Sequence, residues 1–293
     1  MEFEYTIEST NFLNVKDVLK NYFGISSRLL LKIKKNNSVY LNNSICNLST
    51  LVSVGDTVSF CLNYEEDNSN IVATNIPLNI VYEDECLLII NKPPNIAIHP
   101  SMLHYDNSLS NGVKYYFNLI GLHKKIRPVN RLDRNTSGLV IFAKNEYVQE
   151  FLIKEMQIKT FSKEYLAILE GTLDKKQGTI NAPIARKKDS IIERCVDNSG
   201  DNSITHYKVL KEFDNFSLVN FKLETGRTHQ IRVHSSYIGH PILGDDLYGN
   251  KSNLINRQAL HSYKISFIHP KTREKMYFEI DMPQDMLNII SLK

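Results

Sequence analysis

With 293 residues, 42% of them hydrophobic and 23% charged, the chain has the make-up of a folded globular protein and more length than one core usually fills. That excludes a largely disordered chain and favours two domains, while a net charge of +3 is too small to imply nucleic acid on its own. No stretch nears the roughly 18 apolar residues of a membrane span. The start, Met1–Tyr5, is acidic where a secretory signal would be basic and then apolar, so a cytoplasmic protein without membrane contact is expected. Cys46, Cys61, Cys86 and Cys195 are scattered, so neither a disulfide framework nor a zinc site is expected.

In chain order, residues 12–62 read as a small module within a first domain, 1–64. Val15, Val18, Leu19 and Tyr22 recur at helical spacing and stop at Gly24. A second helix is predicted from Ser26 or Ser27, with Leu29, Leu30 and Ile33 on its apolar side. Arg28, Lys32, Lys34 and Lys35 lie on it without an intervening acid. Short strands follow at Ser38–Leu41 and Thr57–Leu62, separated by Asn-rich and Gly55-Asp56 turn signals. On Ser27-Arg28, Val39-Tyr40-Leu41-Asn42 and Val54-Gly55-Asp56 this module resembles the S4-type RNA-binding domain. The resemblance implies that Arg28 and Lys32 contact RNA; a solvated charged helix face is the plainer alternative.

The acidic, polar run Glu65–Asn70 opens a linker, 65–79. A longer domain, 80–293, starts with the apolar strand Leu87–Ile90, stopped by Pro93-Pro94. Helices are predicted at Glu146–Gln157 and Gln230–Ile238. Strands are predicted at Leu139–Ala143, Glu164–Leu169, Thr205–Leu210, Phe216–Leu223, Lys264–Ile268 and Met276–Ile280. The fold class is therefore α+β: a mixed, mainly antiparallel sheet with few helices, behind a small α/β domain.

The chemistry concentrates in Arg127–Lys144. Asp133, between Arg131 and Arg134, precedes the turn Asn135-Thr136-Ser137-Gly138, which feeds an apolar strand. Flanking positive charge favours the ionised form that a nucleophilic carboxylate needs. On composition alone a loop salt bridge is the better explanation of the pattern. Arg131–Gly138, however, resembles the signature of the RluA/RluD-type pseudouridine synthases. Further segments resemble that family in order: Val81–Glu85 with Ile89–Pro94, His99-Pro100-Ser101, Ser162–Gly171, Leu223–His234, His240–Asp245, Leu247–Gly249, Arg257–His261 and His269-Pro270. One departure is Asn130, where the family usually has His.

The resemblance implies an isomerase that detaches uracil from C1′ and rejoins it through C5, with no cofactor and no metal. It implies that Asp133 is the catalytic aspartate, that Arg232 pairs with it (Arg227 being an alternative), and that Tyr165 stacks on the target base and helps remove its C5 proton. Arg131 would enter the gap left by the extruded nucleotide. Tyr165 as core filler, and Arg131 or Arg232 as plain phosphate contacts, stay open. Arg134, Arg186, Lys187 and Arg227 are further candidates for RNA contact, the middle pair in a strand-poor stretch resembling a substrate-clasping loop. Lys92 and His99 are left outside the catalytic set. Ribosomal RNA of the large subunit is the first expected partner, tRNA the second, and the enzyme is expected to act as a monomer. A non-catalytic RNA-binding or assembly factor is the alternative from another class. Gly239–Gly244 has P-loop glycine spacing but continues with Asp245-Asp246, so no phosphate cradle is expected, and His229, His234 and His240 lack zincin spacing.

Overall fold

The structure, a computed structural model, describes residues 1–291. A first sheet and its helices comprise β1 (Glu2–Thr6), α1 (Val15–Asp17), α2 (Ser27–Lys35), β2 (Val39–Leu41), β3 (Ser44–Ile45) and β4 (Thr57–Cys61). Their sheet order is β1-β4-β2-β3, antiparallel throughout. α2 starts where predicted, because the Ser26 hydroxyl accepts from the Leu29 amide at 3.3 Å. Asn42 and Asn43 both take positive φ, as a two-residue hairpin requires, and close β2 onto β3.

Within this first part, two features stand out against the sequence reading. The first helix is α-helical only over Val15–Asp17 and continues as a π-helical turn, Val18–Tyr22, which brings Tyr22 onto the Tyr5 ring. β1 was not foreseen; its alternating glutamates hide a strand whose Phe3 is buried.

The second sheet is built from β5 (Ile80–Glu83), β6 (Leu87–Lys92), β7 (Arg127–Pro128), β8 (Ser137–Ala143), β9 (Ser162–Glu170), β10 (Gln177–Asn181), β13 (Ile204–Glu212), β14 (Phe216–Leu223), β15 (Leu260–Ile268) and β16 (Lys275–Glu279). α3 (Leu109–Leu119), α4 (Glu146–Gln157), α5 (Gln230–Tyr237) and α6 (Gln284–Ile290) cover it, and β11 (Ile184–Arg186) and β12 (Arg194–Val196) form a separate hairpin. The strand order is β10-β13-β14-β9-β15-β8-β6-β5, antiparallel except where β15 meets β8, so the predicted α+β class holds. Strand alternation sorts the core. Leu87, Ile89, Leu139 and Ile141 pack with α4, while Leu88, Ile90, Val140 and Phe142 pack with α3.

The two sheets share one apolar core. Tyr147 of α4 is wrapped edge-on by Phe3, Phe23 and Phe60, at ring-centroid distances of 4.6, 6.4 and 5.2 Å. Residues 65–79 form no helix or strand, yet Glu66 is gripped by both terminal nitrogens of Arg127 at 2.6 and 2.7 Å, and Asn68 is buried.

The junction of β8 and β15 positions the chemistry. Ser137 and Gly138 pair in register with His261 and Ser262. Gly138 has φ +116°, and a Cβ there would lie 2.2 Å from the Ser262 carbonyl oxygen. Gly138→Ala is therefore expected to cost at least about 3 kcal/mol in urea unfolding at pH 7; a loss under 1 kcal/mol would show that the junction can spread.

The turn joining β5 to β6 is held by Asp84. Its carboxylate accepts from the Cys86 and Leu87 amides, both at 2.7 Å, from the Tyr82 hydroxyl at 2.9 Å, and meets His269 Nε2 at 2.9 Å. Burial opposes the charge, but the bonds from His269, Tyr82 and the backbone outweigh it and hold the pKa down to about 2. A folded pKa below the unfolded one stabilises above about pH 4, and the gain is lost as pH falls through about 2. Asp84→Asn is expected to cost about 2 kcal/mol at pH 7, the gap closing between pH 4 and pH 2. Chemical denaturation across that range checks this, and a gap independent of pH contradicts it.

Candidate active site

Asp133 sits on a loop fixed from beneath by its own carbonyls. The buried Lys92 ammonium donates to the carbonyls of Pro93, Ile96 and Arg134 at 2.9–3.0 Å. Arg257, clamped by Asp285 of α6 at 2.7 and 2.9 Å, donates to the Asn135 carbonyl at 3.2 Å. Upstream, the Asn130 amide donates to the Leu139 carbonyl at 3.0 Å and accepts from the Ile141 amide at 2.9 Å, extending the pairing of β8 by one side chain. The departure at Asn130 is therefore structural in effect: both its polar atoms are spent on β8. Asn130→Ala is expected to lose about 2 kcal/mol of stability, read from urea midpoints, because two buried backbone groups lose their partner.

The Asp133 carboxylate is the outer end of a buried charge relay in space. Arg232 Nη1 lies 3.1 Å from its Oδ2. The other face of the same guanidinium is forked onto Asp245, Nε to Oδ2 at 2.7 Å and Nη2 to Oδ1 at 2.8 Å. Asp245 is fully buried and also accepts from the amides of Leu247 and Tyr248. Burial works against the Arg232 charge, but Asp245 and then Asp133 outweigh it and raise its pKa above the usual arginine value. A planar fork held on one side leaves its remaining nitrogen aimed at one place.

His229 completes the group, with Nε2 3.7 Å from Asp133 Oδ2. The Tyr248 hydroxyl accepts from the Arg194 amide at 2.8 Å and lies 2.7 Å from His229 Nδ1, which fixes the ring beside Asp133. Burial lowers the His229 pKa, with Arg232 adding to the effect and Asp133 opposing it. The residue caps α5 at φ +58°, an uncommon backbone for a non-glycine, at the point where the chain turns into the site.

These groups open on a cavity of about 720 Å³, lined by Asp133, Tyr165, Lys163, Arg131, Arg227 and His229. Its size falls in the roughly 300–1,000 Å³ range of small-molecule sites. Tyr165 is only 6% exposed yet borders this space, so the core and cavity readings of it are both met. Burial pushes its phenol well above the ordinary value and keeps it protonated. An adjoining cleft of about 500 Å³ is lined by Arg131, Arg186, Arg194 and Arg227, with Asp201 among them. Arg131 is exposed and borders both spaces.

The structure thus brings Asp133, Tyr165, Arg232, Arg131 and Arg227 together, with Arg186 at the rim. The partner of Asp133 is Arg232, while Arg227 reaches Asp201 at 3.5 Å. The segment holding Arg186 and Lys187 is not strand-poor: Arg186 ends β11 and pairs with Arg194 of β12. Lys187 is tied to Glu193 at 2.8 Å, and Lys32 to Glu146 at 3.1 Å and Glu66 at 3.5 Å, so neither is a free cation. Arg28 lines a separate groove between α2 and the second sheet, of about 480 Å³. That groove shares His99 with the Asp133 cavity. Arg134 is exposed at the loop's edge, its Nε 3.4 Å from the Asn95 carbonyl. His229, Asp245 and Tyr248 were not foreseen as site residues, although a fully buried aspartate always needs a cationic or amide partner.

Among the described residues, one group could offer three ligand atoms to a metal: Asp84, Cys86 and His269. The Asp84 oxygens are engaged in the turn described above, and His269 Nδ1 accepts from the Thr272 amide at 3.0 Å, so this group is read as a turn clamp.

A mixed sheet carrying an arginine-locked aspartate beside a cation-rimmed cavity is an arrangement suited to chemistry on an anionic substrate. The chain belongs to the RNA pseudouridylate synthase family, whose pattern it matches over residues 86–237, and it is an RNA pseudouridine synthase, an isomerase. It is 40% identical over 268 residues to the Bacillus subtilis protein named "Uncharacterized RNA pseudouridine synthase YjbO", covering 91% of this chain and 95% of that one. It is 35% identical over 280 residues to "Ribosomal large subunit pseudouridine synthase D" of Blochmanniella floridana, covering 88% and 87%. Among solved structures, "Human RNA Pseudouridylate Synthase Domain Containing 1" superposes with a TM-score of 0.59 at 28% identity, over 71% of this chain and 85% of that one. No helix among the described residues is long and apolar enough to cross a membrane.

Proposed function

We propose that the enzyme isomerises uridine in large-subunit ribosomal RNA and that Asp133 is its catalytic aspartate. The observation that carries the second part is the line Asp133–Arg232–Asp245, which fixes one carboxylate at the mouth of the cavity while leaving it 26% exposed. In the reaction the C1′–N1 bond breaks, a C1′–C5 bond forms, N1 gains a proton and C5 loses one. Asp133 serves either by attacking C1′ or by assisting loss of the base. Arg232 pairs with it and holds it oriented. Tyr165 stacks on the uracil; a phenol kept protonated by burial is suited to stacking and donating rather than to taking the C5 proton. The target base must leave its helix to reach this cavity, and exposed Arg131 at its rim is suited to fill the gap.

The large-subunit assignment is supported by the relatives that carry it in their names. The basic α2, followed by a small antiparallel sheet, supports an S4-like RNA-binding role for residues 1–64, with Arg28 lining the groove and in no ion pair among the described residues. On this reading the enzyme works as a monomer, in the cytoplasm. The test is carbodiimide-dependent reverse-transcription mapping of RNA from cells lacking the gene. At least one stop in large-subunit rRNA is expected to vanish, and to return with the wild-type gene but not with Asp133→Asn. Loss confined to tRNA would move the substrate assignment.

A further inference from the structure

Two cations lining the Asp133 cavity have no partner among the described residues, exposed Arg131 and the more deeply set Lys163. Lys163 lies two residues before Tyr165 on β9, so both side chains leave the strand on the same face and line the same space. Its ammonium makes no hydrogen bond and no ion pair among the described residues. Burial lowers its pKa, with no charged neighbour contributing. The two acids that share the cavity are already occupied: Asp133 by Arg232, and Glu224 by Lys159 and by His206 at 2.7 Å. An unpaired ammonium on a partly buried side chain is costly to keep unless a ligand supplies the counter-charge.

Its position says which ligand. A Cβ added to Gly226 would sit 3.2 Å from Lys163 Nζ, so the ammonium lies against the Gly226 backbone. Gly226 borders both the Asp133 cavity and the arginine-lined cleft beside it. A polynucleotide strand that runs along that cleft and turns one nucleotide into the cavity brings a phosphodiester past this seam.

We infer that Lys163 binds the phosphodiester of the uridine that enters the Asp133 cavity. This rests on the functional reading above and adds a substrate-binding residue to it. The contact is an electrostatic grip on the substrate backbone, present in ground and transition states alike, and so belongs in KM rather than kcat.

The test uses the full chain and in vitro transcribed large-subunit rRNA carrying C5-tritiated uridine, with tritium release followed at several salt concentrations. Lys163→Met is expected to raise KM about tenfold with kcat within twofold. The slope of log(kcat/KM) against log salt should become shallower by about 0.7, the value for one lost phosphate contact on a single strand. Lys163→Arg should restore most of the loss, and Gly226→Ala, which crowds the ammonium, should give a smaller rise in KM. A Lys163→Met enzyme with wild-type KM and salt slope overturns the inference, as does a loss confined to kcat, which would put Lys163 on the uracil ring. A lower melting temperature with unchanged salt slope would mark it as structural and equally overturn it. A wild type that releases no tritium refutes the functional reading itself and this inference with it.

Discussion

Asp133→Asn is expected to fold as the wild type does, to bind RNA within about twofold of wild-type affinity, and to lose turnover by at least about 10⁴-fold. Asparagine is isosteric with aspartate and keeps one oxygen to accept from Arg232, whose other face is still locked by Asp245. What disappears is the negative charge. An amide neither attacks C1′ nor stabilises positive charge growing there as the base departs, so whichever route the reaction takes, the loss falls on the chemical step. Melting curves, filter binding and chromatography of digested nucleosides after single-turnover incubation separate the three claims. Turnover within tenfold of wild type would remove Asp133 from the centre of the reaction.

Asp245→Asn is expected to have the second largest effect, on stability and activity together. Asp245 is completely buried, and among the described residues its carboxylate carries the only fork on Arg232. Removing its charge leaves a buried guanidinium half neutralised, at a cost of about 3–5 kcal/mol in denaturant unfolding. The freed guanidinium can then swing fully onto Asp133 and misplace the carboxylate, and kcat is expected to fall about 100-fold at saturating RNA with little change in KM. Arg232→Lys should reproduce the loss in kcat, since an ammonium cannot span Asp245 and Asp133 in one plane. A stable Asp245→Asn enzyme with wild-type kcat would mean that Arg232 is held by something other than this carboxylate.

How much of this was legible in the sequence depended on whether the signal was local. Helix α2 was readable because Ser26 caps it and its apolar residues recur at the right spacing, and the long strands were readable from alternation. α3 was missed because its buried face includes Ser110, Asn111 and Gly112, polar or side-chain-free residues that break the apolar pattern, the Ser110 hydroxyl and Asn111 amide donating to the distant Ile98 and Val72 carbonyls. The pairing of Asp133 with Arg232 could be expected from resemblance, across ninety-nine residues of chain, but the clamp that makes it rigid could not: Asp245 reads locally as one acid in a turn. Lys32 and Lys187 looked free for the same reason, since a run of positive residues does not reveal that Glu146 and Glu193 fold back onto it. The shared core around Tyr147 joins aromatic residues from three distant segments, a contact with no trace in any single window of sequence.

The most direct measurement is tritium release from RNA containing C5-tritiated uridine, incubated with purified wild-type enzyme and no added cofactor. Release that rises with time, matches the pseudouridine formed and is absent with Asp133→Asn is the result the structure leads us to expect. RNA that is bound yet keeps all its tritium would mean that the arginine-locked carboxylate performs no isomerisation at these uridines, and the account would fail at its centre.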